Sequence, residues 1–133
     1  MDNHFAIYNS TLYYVMKVLI VDDNEDITGL LSRFLKAKGF ENVVSNDPKK
    51  GLEQIKEKKY DVVLLDMAMP DFSGIDIIET LEKEQILKDQ KIVIFSATAF
   101  TDSQINDLLK KDGIHGCLKK PIQLSELLTA IAN

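Results

Sequence analysis

Short apolar runs, spaced along the whole chain, constrain the fold more than any other feature of this sequence. The runs at 18–21, 62–65 and 92–95 consist only of aliphatic or aromatic residues, as expected for strands buried on both faces of a sheet. The shorter stretches at 43–44 and 117–118 are flanked by polar residues and suit the edges of the same sheet. Between these runs, apolar residues recur at the three- and four-residue spacing of amphipathic helices.

Five segments show this helical spacing, and some carry start or stop signals. Asp47-Pro48 predicts a capping residue and a first-turn proline, Asp102 is predicted to cap the fourth helix, and Gly39 to end the first. The apolar residues predicted to face the core are Ile27, Leu30, Leu31, Phe34 and Leu35, then Leu52 and Ile55, then Ile75, Ile78 and Leu81, then Ile105, Leu108 and Leu109, and finally Leu124, Leu127, Leu128 and Ile131.

Alternating strands and helices predict a doubly wound α/β fold, in which helices cover both faces of a five-stranded parallel sheet. Right-handed crossovers favour the strand order 2-1-3-4-5, a flavodoxin-like topology with its ligand crevice at the carboxyl ends of strands 1 and 3. The predicted domain covers residues 16–133. Residues 1–15 do not fit the repeat, and the sequence leaves open an alternative start, an added edge strand or a disordered extension.

Length, composition and charge exclude several classes of protein. The 133 residues, 45% of them hydrophobic, suffice for one domain with a core. The net charge of −5 argues against a nucleic-acid surface, which would need a basic face. A single cysteine is typical of a reducing compartment, and no apolar run approaches the ~20 residues needed to cross a bilayer. We expect a cytoplasmic protein with no membrane insertion.

Carboxylates gather at the predicted ligand edge of the sheet. Asp22 and Asp23 follow the first run directly, and Asp66 follows the second. Aspartates after strands are commonly turn residues, but two carboxylates ~4 Å apart repel by ~1 kcal/mol in water and by ~4 kcal/mol at an effective dielectric constant of 20. A cation would offset this cost, and oxygen ligands without histidine or cysteine nearby favour Mg²⁺ or Mn²⁺ over zinc.

A lysine and a serine complete a predicted phosphoryl site. Strand alternation directs only one of Lys119 and Lys120 to the crevice, and Lys120 precedes Pro121, which holds it extended. Ser96 ends the third run, and its hydroxyl either satisfies a loop backbone or contacts a phosphoryl oxygen. The pieces together predict that Asp66 attacks a phosphoryl group and becomes an acyl phosphate, while Lys120 and Ser96 bind its oxygens.

Four segments resemble the receiver domain of two-component response regulators: 18–25 (VLIVDDNE), 64–74 (LLDMAMPDFSG), Ser96-Ala97 and 120–122 (KPI). The resemblance covers about residues 16–133. It implies a single-domain, chemotaxis-regulator-like response regulator that takes a phosphoryl group from a histidine kinase or a histidine phosphotransfer protein. Such a domain signals by binding a downstream protein and is not an enzyme acting on a small molecule.

The resemblance also implies roles for individual residues. Asp66 would accept the phosphoryl group and, with Asp23, bind Mg²⁺ directly, with Mn²⁺ as a substitute. Asp22 would bind Mg²⁺ largely through water, and the backbone carbonyl of Ala68 would be the last of the protein ligands. Lys120 would contact the phosphoryl group. Ser96 would swing toward it as a switch.

The chain departs from the family pattern at Cys117, which stands where many receivers carry an aromatic switch residue. Without that aromatic residue, we expect output to pass through loop and helix shifts around 97–100, or through Phe100 itself. Cys117 itself is predicted to be a small core residue rather than a redox sensor. Protein contact is expected around 108–112 and 123–127, in a monomer or weak homodimer.

Two alternatives stay open from the sequence. One is a phosphatase of the haloacid dehalogenase class, which also uses an aspartyl nucleophile and magnesium. Such enzymes normally place the nucleophile after the first strand and a second aspartate two residues later, whereas Asn24 stands in that region here. The other is a receiver scaffold that is never phosphorylated, although all the residues that the chemistry needs are present.

Overall fold

A computed structural model describes residues 5–8, 11–97 and 100–132, with side chains from residue 14 onward in these ranges. In chain order the elements are β1 (Phe5–Tyr8), β2 (Thr11–Tyr14), β3 (Lys17–Val21), α1 (Glu25–Ala37), β4 (Glu41–Ser45), α2 (Pro48–Glu57), β5 (Val62–Asp66), α3 (Gly74–Lys83), a 3-10 helix (Leu87–Asp89), β6 (Ile92–Ser96), α4 (Asp102–Leu109), β7 (Ile114–Lys119) and α5 (Leu124–Ala132).

The five strands from β3 onward form the predicted parallel sheet, in the order β4-β3-β5-β6-β7. Counted from β3, this is the order 2-1-3-4-5, so the predicted topology is confirmed. The register places Val21 opposite both Ser45 and Leu65. The carboxyl ends of β3, β4 and β5 are therefore level, and the residues that follow them share one edge of the sheet.

The core lies on both faces of this sheet because alternate strand residues point to opposite sides. Leu19 and Val21 pack with the apolar residues of α2, α3 and α4, whereas Val18 and Ile20 pack with those of α1 and α5. Every residue of β5 and β6 is buried. This burial explains why the two central runs are apolar throughout and do not alternate with polar residues.

Most predicted helix signals are confirmed, and one is wrong. Asp47 caps α2 by accepting hydrogen bonds from two backbone N–H groups, and Pro48 is the first helical residue. The cap of α4 is Thr101 rather than Asp102: its side chain accepts from the Gln104 N–H, and the Gln104 side chain accepts from the Thr101 N–H. This reciprocal box satisfies two backbone donors, whereas Asp102 begins the helix itself.

Within the described residues, no helix combines the length and the apolar character needed to span a membrane.

Two of the predicted core residues are exposed. Leu30 is 52% exposed and Leu109 is 37% exposed. The buried stripe of α1 runs through Thr28, Leu31 and Leu35, and a residue one position before Leu31 lies about 100° away from it around a helix. Leu109 is the last residue of α4, where the helix leaves the core.

The described part of the first fifteen residues forms a separate hairpin. β1 and β2 pair antiparallel and do not join the five-stranded sheet, so the alternative of an added edge strand is wrong. The Tyr14 hydroxyl donates to the Asp61 carboxylate, which also accepts the Lys17 N–H at 2.7 Å. The bond to Asp61 raises the pKa of Tyr14 to about 12. The Tyr14 contact attaches the hairpin to the residue that precedes β5, at the edge of the sheet opposite the acidic one.

Candidate functional site

Three aspartates meet at the carboxyl ends of β3 and β5. Carboxylate oxygens of Asp22, Asp23 and Asp66 all lie within 4.8 Å of one another. Asp22 and Asp66 are buried, whereas Asp23 is exposed at the mouth of the cluster. The parallel register of the two strands produces this arrangement, since it brings Asp66 level with the residue that follows Val21.

Asp22 is fully buried and is only partly satisfied by hydrogen bonds. Its Oδ1 accepts the Asn24 N–H at 2.9 Å, whereas its Oδ2 has no hydrogen-bond partner among the described residues. Burial raises the pKa of Asp22 to about 7; the Asn24 N–H opposes this shift, the Asp66 carboxylate adds to it, and Lys120 opposes it. A buried carboxylate oxygen without a donor is costly, and a cation beside it would satisfy it.

Lys120 is the lysine that reaches the cluster. Its Nζ lies 2.9 Å from Asp66 Oδ1 and 4.0 Å from Asp22 Oδ2. Its backbone N–H donates to the Ser96 carbonyl at 2.9 Å, and the peptide bond to the following proline is cis. Lys119 instead lies 3.7 Å from the exposed carboxylate of Asp102, outside the cluster.

The loop after Asp66 is held close to the start of α3. The Ala68 N–H donates to Asp66 Oδ1 at 3.3 Å, and the ligand role expected of the Ala68 carbonyl stays a prediction. A Cβ atom on Gly74 would lie 2.6 Å from the Asp66 backbone oxygen and 2.9 Å from Met67 Cα. Only glycine therefore allows α3 to approach the aspartate loop this closely.

Ser96 lies at the same edge of the sheet, one strand further along. It is buried, and its hydroxyl donates to the Ala97 carbonyl at 2.9 Å. A groove of about 310 Å³ opens beside it, lined by Ser96, Ala97, Phe100, Thr101, Asp102, Ile105, Lys119 and Lys120. Residues 98 and 99, part of the loop expected to transmit output, lie outside the described residues.

Cys117 lies in the edge strand β7, with its side chain packed against the core on the α2–α4 face. Burial raises the pKa of its thiol, and nearby Lys119 opposes that shift. The thiol therefore stays protonated near neutral pH and contributes as a small apolar group.

Two polar residues at this edge, Asn46 and Thr28, were missed by the sequence interpretation. Asn46 donates to the Asp22 carbonyl at 2.8 Å and to Thr28 Oγ1 at 2.9 Å. A signal was available for Asn46, because it directly follows β4, the strand next to β3.

The pattern of strands, acidic cluster and lysine agrees with the result of a family comparison. The family model of the response regulator receiver domain matches residues 18–132. The chain belongs to this family. Receiver domains are phosphoacceptor signalling domains of two-component systems, and binding of Mg²⁺ at the acidic pocket is typical of them. This assignment argues against the haloacid dehalogenase alternative.

Curated relatives include longer proteins. The chain is 30% identical over 115 residues to the DNA-binding response regulator MtrA of Mycolicibacterium paratuberculosis, covering 86% of this chain and 49% of the relative. It is 28% identical over 116 residues to the cell cycle transcriptional regulator CtrA of Caulobacter vibrioides, covering 87% and 48%. The chain therefore spans about half the length of these relatives.

Solved structures resemble this chain over most of both lengths. The receiver domain of the Francisella response regulator 1452 has a TM-score of 0.76 and 31% identity, covering 88% of this chain and 93% of that one. A receiver domain protein from Clostridium thermocellum has a TM-score of 0.76 and 29% identity, covering 90% and 93%. The chemotaxis protein CheY4 of Vibrio cholerae has a TM-score of 0.76 and 25% identity, covering 89% and 97%.

The residues at the acidic edge fit a magnesium ion. Asp22, Asp23 and Asp66 offer only oxygen atoms, which are the ligands that Mg²⁺ takes. Asp22 Oδ2, which accepts no hydrogen bond from the described residues, is the strongest sign of fit, because a buried polar atom normally has a donor or a cation beside it.

Mg²⁺ at ten times its dissociation constant is expected to raise the Tm of the wild type by roughly 5 °C. A ligand bound only by the folded state stabilises it by about 1.4 kcal/mol at that concentration. The Asp23→Ala variant, which removes one carboxylate from the cluster, should show a much smaller shift in differential scanning calorimetry. Asp89→Ala, which removes an exposed carboxylate far from the cluster, should keep the full shift. Equal shifts in wild type and Asp23→Ala would place the cation elsewhere.

Proposed function

We propose that this chain is a phosphoacceptor in which Asp66 takes a phosphoryl group from a histidine kinase or a histidine phosphotransfer protein, with Mg²⁺ as cofactor and Mn²⁺ as a substitute. The observation that carries this proposal is the Lys120 ammonium, 2.9 Å from the buried Asp66 carboxylate inside a cluster of three aspartates. A structural ion pair would not need two further carboxylates beside it.

The transfer exchanges one bond to phosphorus for another. A carboxylate oxygen of Asp66 attacks the phosphorus, the bond from phosphorus to the donor histidine nitrogen breaks, and its electron pair leaves with that nitrogen. When bound, Mg²⁺ would neutralise negative charge on the phosphoryl oxygens. Asp22, Asp23 and the Ala68 carbonyl are the proposed ligands together with Asp66, and Lys120 orients the nucleophile and then contacts the phosphoryl group.

Ser96 is the proposed switch. Its hydroxyl now donates to the Ala97 carbonyl, and a phosphoryl oxygen on Asp66 would compete for that donor. Once the hydroxyl turns toward the phosphoryl group, the carbonyl loses its partner and the loop before α4 can change conformation. Cys117 gives this chain no aromatic ring to follow the serine, so loop and helix shifts would carry the signal to 108–112 and 123–127.

The proposed output is a cytoplasmic protein–protein contact controlled by phosphorylation, made by a monomer or weak homodimer. The net charge of −5 supports a protein partner rather than nucleic acid. Residues 16–133 are the proposed receiver unit, and residues 1–15 are an extension of it.

Labelling by a small phosphodonor tests the proposal. Incubation with acetyl phosphate and Mg²⁺ should add the mass of one phosphoryl group per chain, and hydroxylamine should remove it because acyl phosphates are labile to this nucleophile. Chelation of Mg²⁺ should prevent labelling. Continuous turnover of p-nitrophenyl phosphate would instead indicate a phosphatase, and a chain that takes no label would indicate a scaffold.

A further inference from the structure

An amide side chain outside the carboxylate cluster is bonded to the loop that carries two of its members. Asn46 Nδ2 donates both of its hydrogens, one to the Asp22 carbonyl at 2.8 Å and one to Thr28 Oγ1 at 2.9 Å. Thr28 is buried in α1, and its hydroxyl donates in turn to the Glu25 carbonyl at 3.2 Å. One primary amide therefore joins the end of β3, the end of β4 and the first turn of α1.

The acidic loop needs a restraint because its carboxylates repel one another. Asp22 and Asp23 are consecutive in the chain, and each has a carboxylate oxygen within 4.8 Å of a carboxylate oxygen of Asp66. Opening of the loop would relieve this repulsion when no cation is present. The backbone of Asp22 is held on one side by its N–H, which donates to the Ser45 carbonyl at 3.1 Å, and on the other by Asn46.

We propose that Asn46 is a positioning residue for the magnesium site, clamping residues 22–24 so that Asp22 and Asp23 face Asp66 before the cation arrives. This inference rests on the proposed function, since it concerns the same site. This pair of contacts requires a short side chain with a primary amide, because both N–H groups of Asn46 Nδ2 donate at once and alanine has no donor. Partners that orient metal ligands from outside the coordination sphere commonly change metal affinity about 10–100-fold when removed.

The chain offers a matched control in Asn42, which lies within β4, the strand that Asn46 directly follows. Its Nδ2 donates to the Ser32 carbonyl at 3.1 Å, and its Oδ1 accepts from Ser32 Oγ at 2.6 Å. Asn42 thus also makes two hydrogen bonds between β4 and α1. It lies opposite Val18 near the amino end of the sheet, far from the carboxylates.

The first measurement is the rate of amide hydrogen exchange in the metal-free protein, detected by NMR. In Asn46→Ala, the N–H of Asn24, which donates to Asp22 Oδ1, should exchange at least about tenfold faster. Asn42→Ala should leave it unchanged. The second measurement is a Mg²⁺ titration followed by the backbone amide shifts of residues 22–24. The dissociation constant should rise about tenfold in Asn46→Ala and less than twofold in Asn42→Ala.

The third measurement separates positioning from ligation. At saturating Mg²⁺, the labelling rate of Asn46→Ala by acetyl phosphate should return close to that of the wild type, since no ligand has been removed. Thr28→Val keeps the shape of Thr28 and deletes one of the two acceptors, so its Mg²⁺ affinity should fall between those of wild type and Asn46→Ala.

The clamp would be overturned if Asn46→Ala kept the wild-type exchange rate of the Asn24 N–H and the wild-type Mg²⁺ affinity. It would also be overturned if Asn42→Ala lost as much Mg²⁺ affinity as Asn46→Ala. A wild-type chain that neither binds Mg²⁺ nor takes the label would instead overturn the proposed function. In that case the exchange rates of the metal-free variants still decide whether Asn46 holds the loop.

Discussion

The Asp66→Asn variant is expected to take no phosphoryl group from acetyl phosphate under conditions that label the wild type fully. Asparagine has nearly the same shape, but its neutral amide oxygen is a poor nucleophile, and one negative charge leaves the proposed cation site. Loss of a nucleophile that acts as part of a unit lowers rates by roughly 10⁴-fold or more, which is below detection by intact mass spectrometry.

Asp71→Asn is the matched control for this variant. Asp71 lies in the loop after Asp66 and is exposed, with a φ of 66° that asparagine adopts readily. The same chemical change a few residues away should therefore leave labelling intact, and both variants should keep the wild-type circular dichroism. Labelling of Asp66→Asn to the wild-type extent would show that another residue is the phosphoacceptor.

The Gly113→Ala variant is expected to show the largest loss of stability of any glycine-to-alanine change in this chain. A Cβ atom there would lie 1.9 Å from the Leu87 carbonyl oxygen, and the backbone φ of 102° is one that alanine rarely adopts. Left-handed backbone costs about 1–2 kcal/mol, and overpacking adds about 1–3 kcal/mol. Urea unfolding should therefore show a loss of about 2–5 kcal/mol, a large part of the usual total for a domain.

Two other glycines separate the causes of this loss. Gly39 has a φ of 89°, and no atom of the described part of the chain lies within 4 Å of an added Cβ, so Gly39→Ala should lose only the backbone contribution of about 1–2 kcal/mol. Gly116 has neither feature, so Gly116→Ala should stay within about 0.5 kcal/mol of the wild type. A loss in Gly113→Ala no larger than in Gly39→Ala would mean that the 3-10 helix at Leu87 moves aside at little cost.

Local signals in the sequence were sufficient for most of the fold. A strand buried on both faces must be apolar throughout, and a helix on a sheet must bury one stripe, so both periodicities can be read without coordinates. The order of the strands followed from which runs were fully apolar, together with the right-handed crossover rule. Because parallel strands end at one edge, the meeting of Asp22, Asp23 and Asp66 followed from that order.

The sequence by itself determined the architecture and the edge at which the polar residues gather, because both depend on spacing along the chain. Only the tertiary structure decided the contacts between side chains from distant segments: that Asn46 bonds to the Asp22 loop, that the Ser96 hydroxyl is engaged by a loop carbonyl, and that Leu30 faces solvent. These contacts depend on strand register and on helix rotation to within a fraction of a turn, and a pattern of residue types does not specify either that finely.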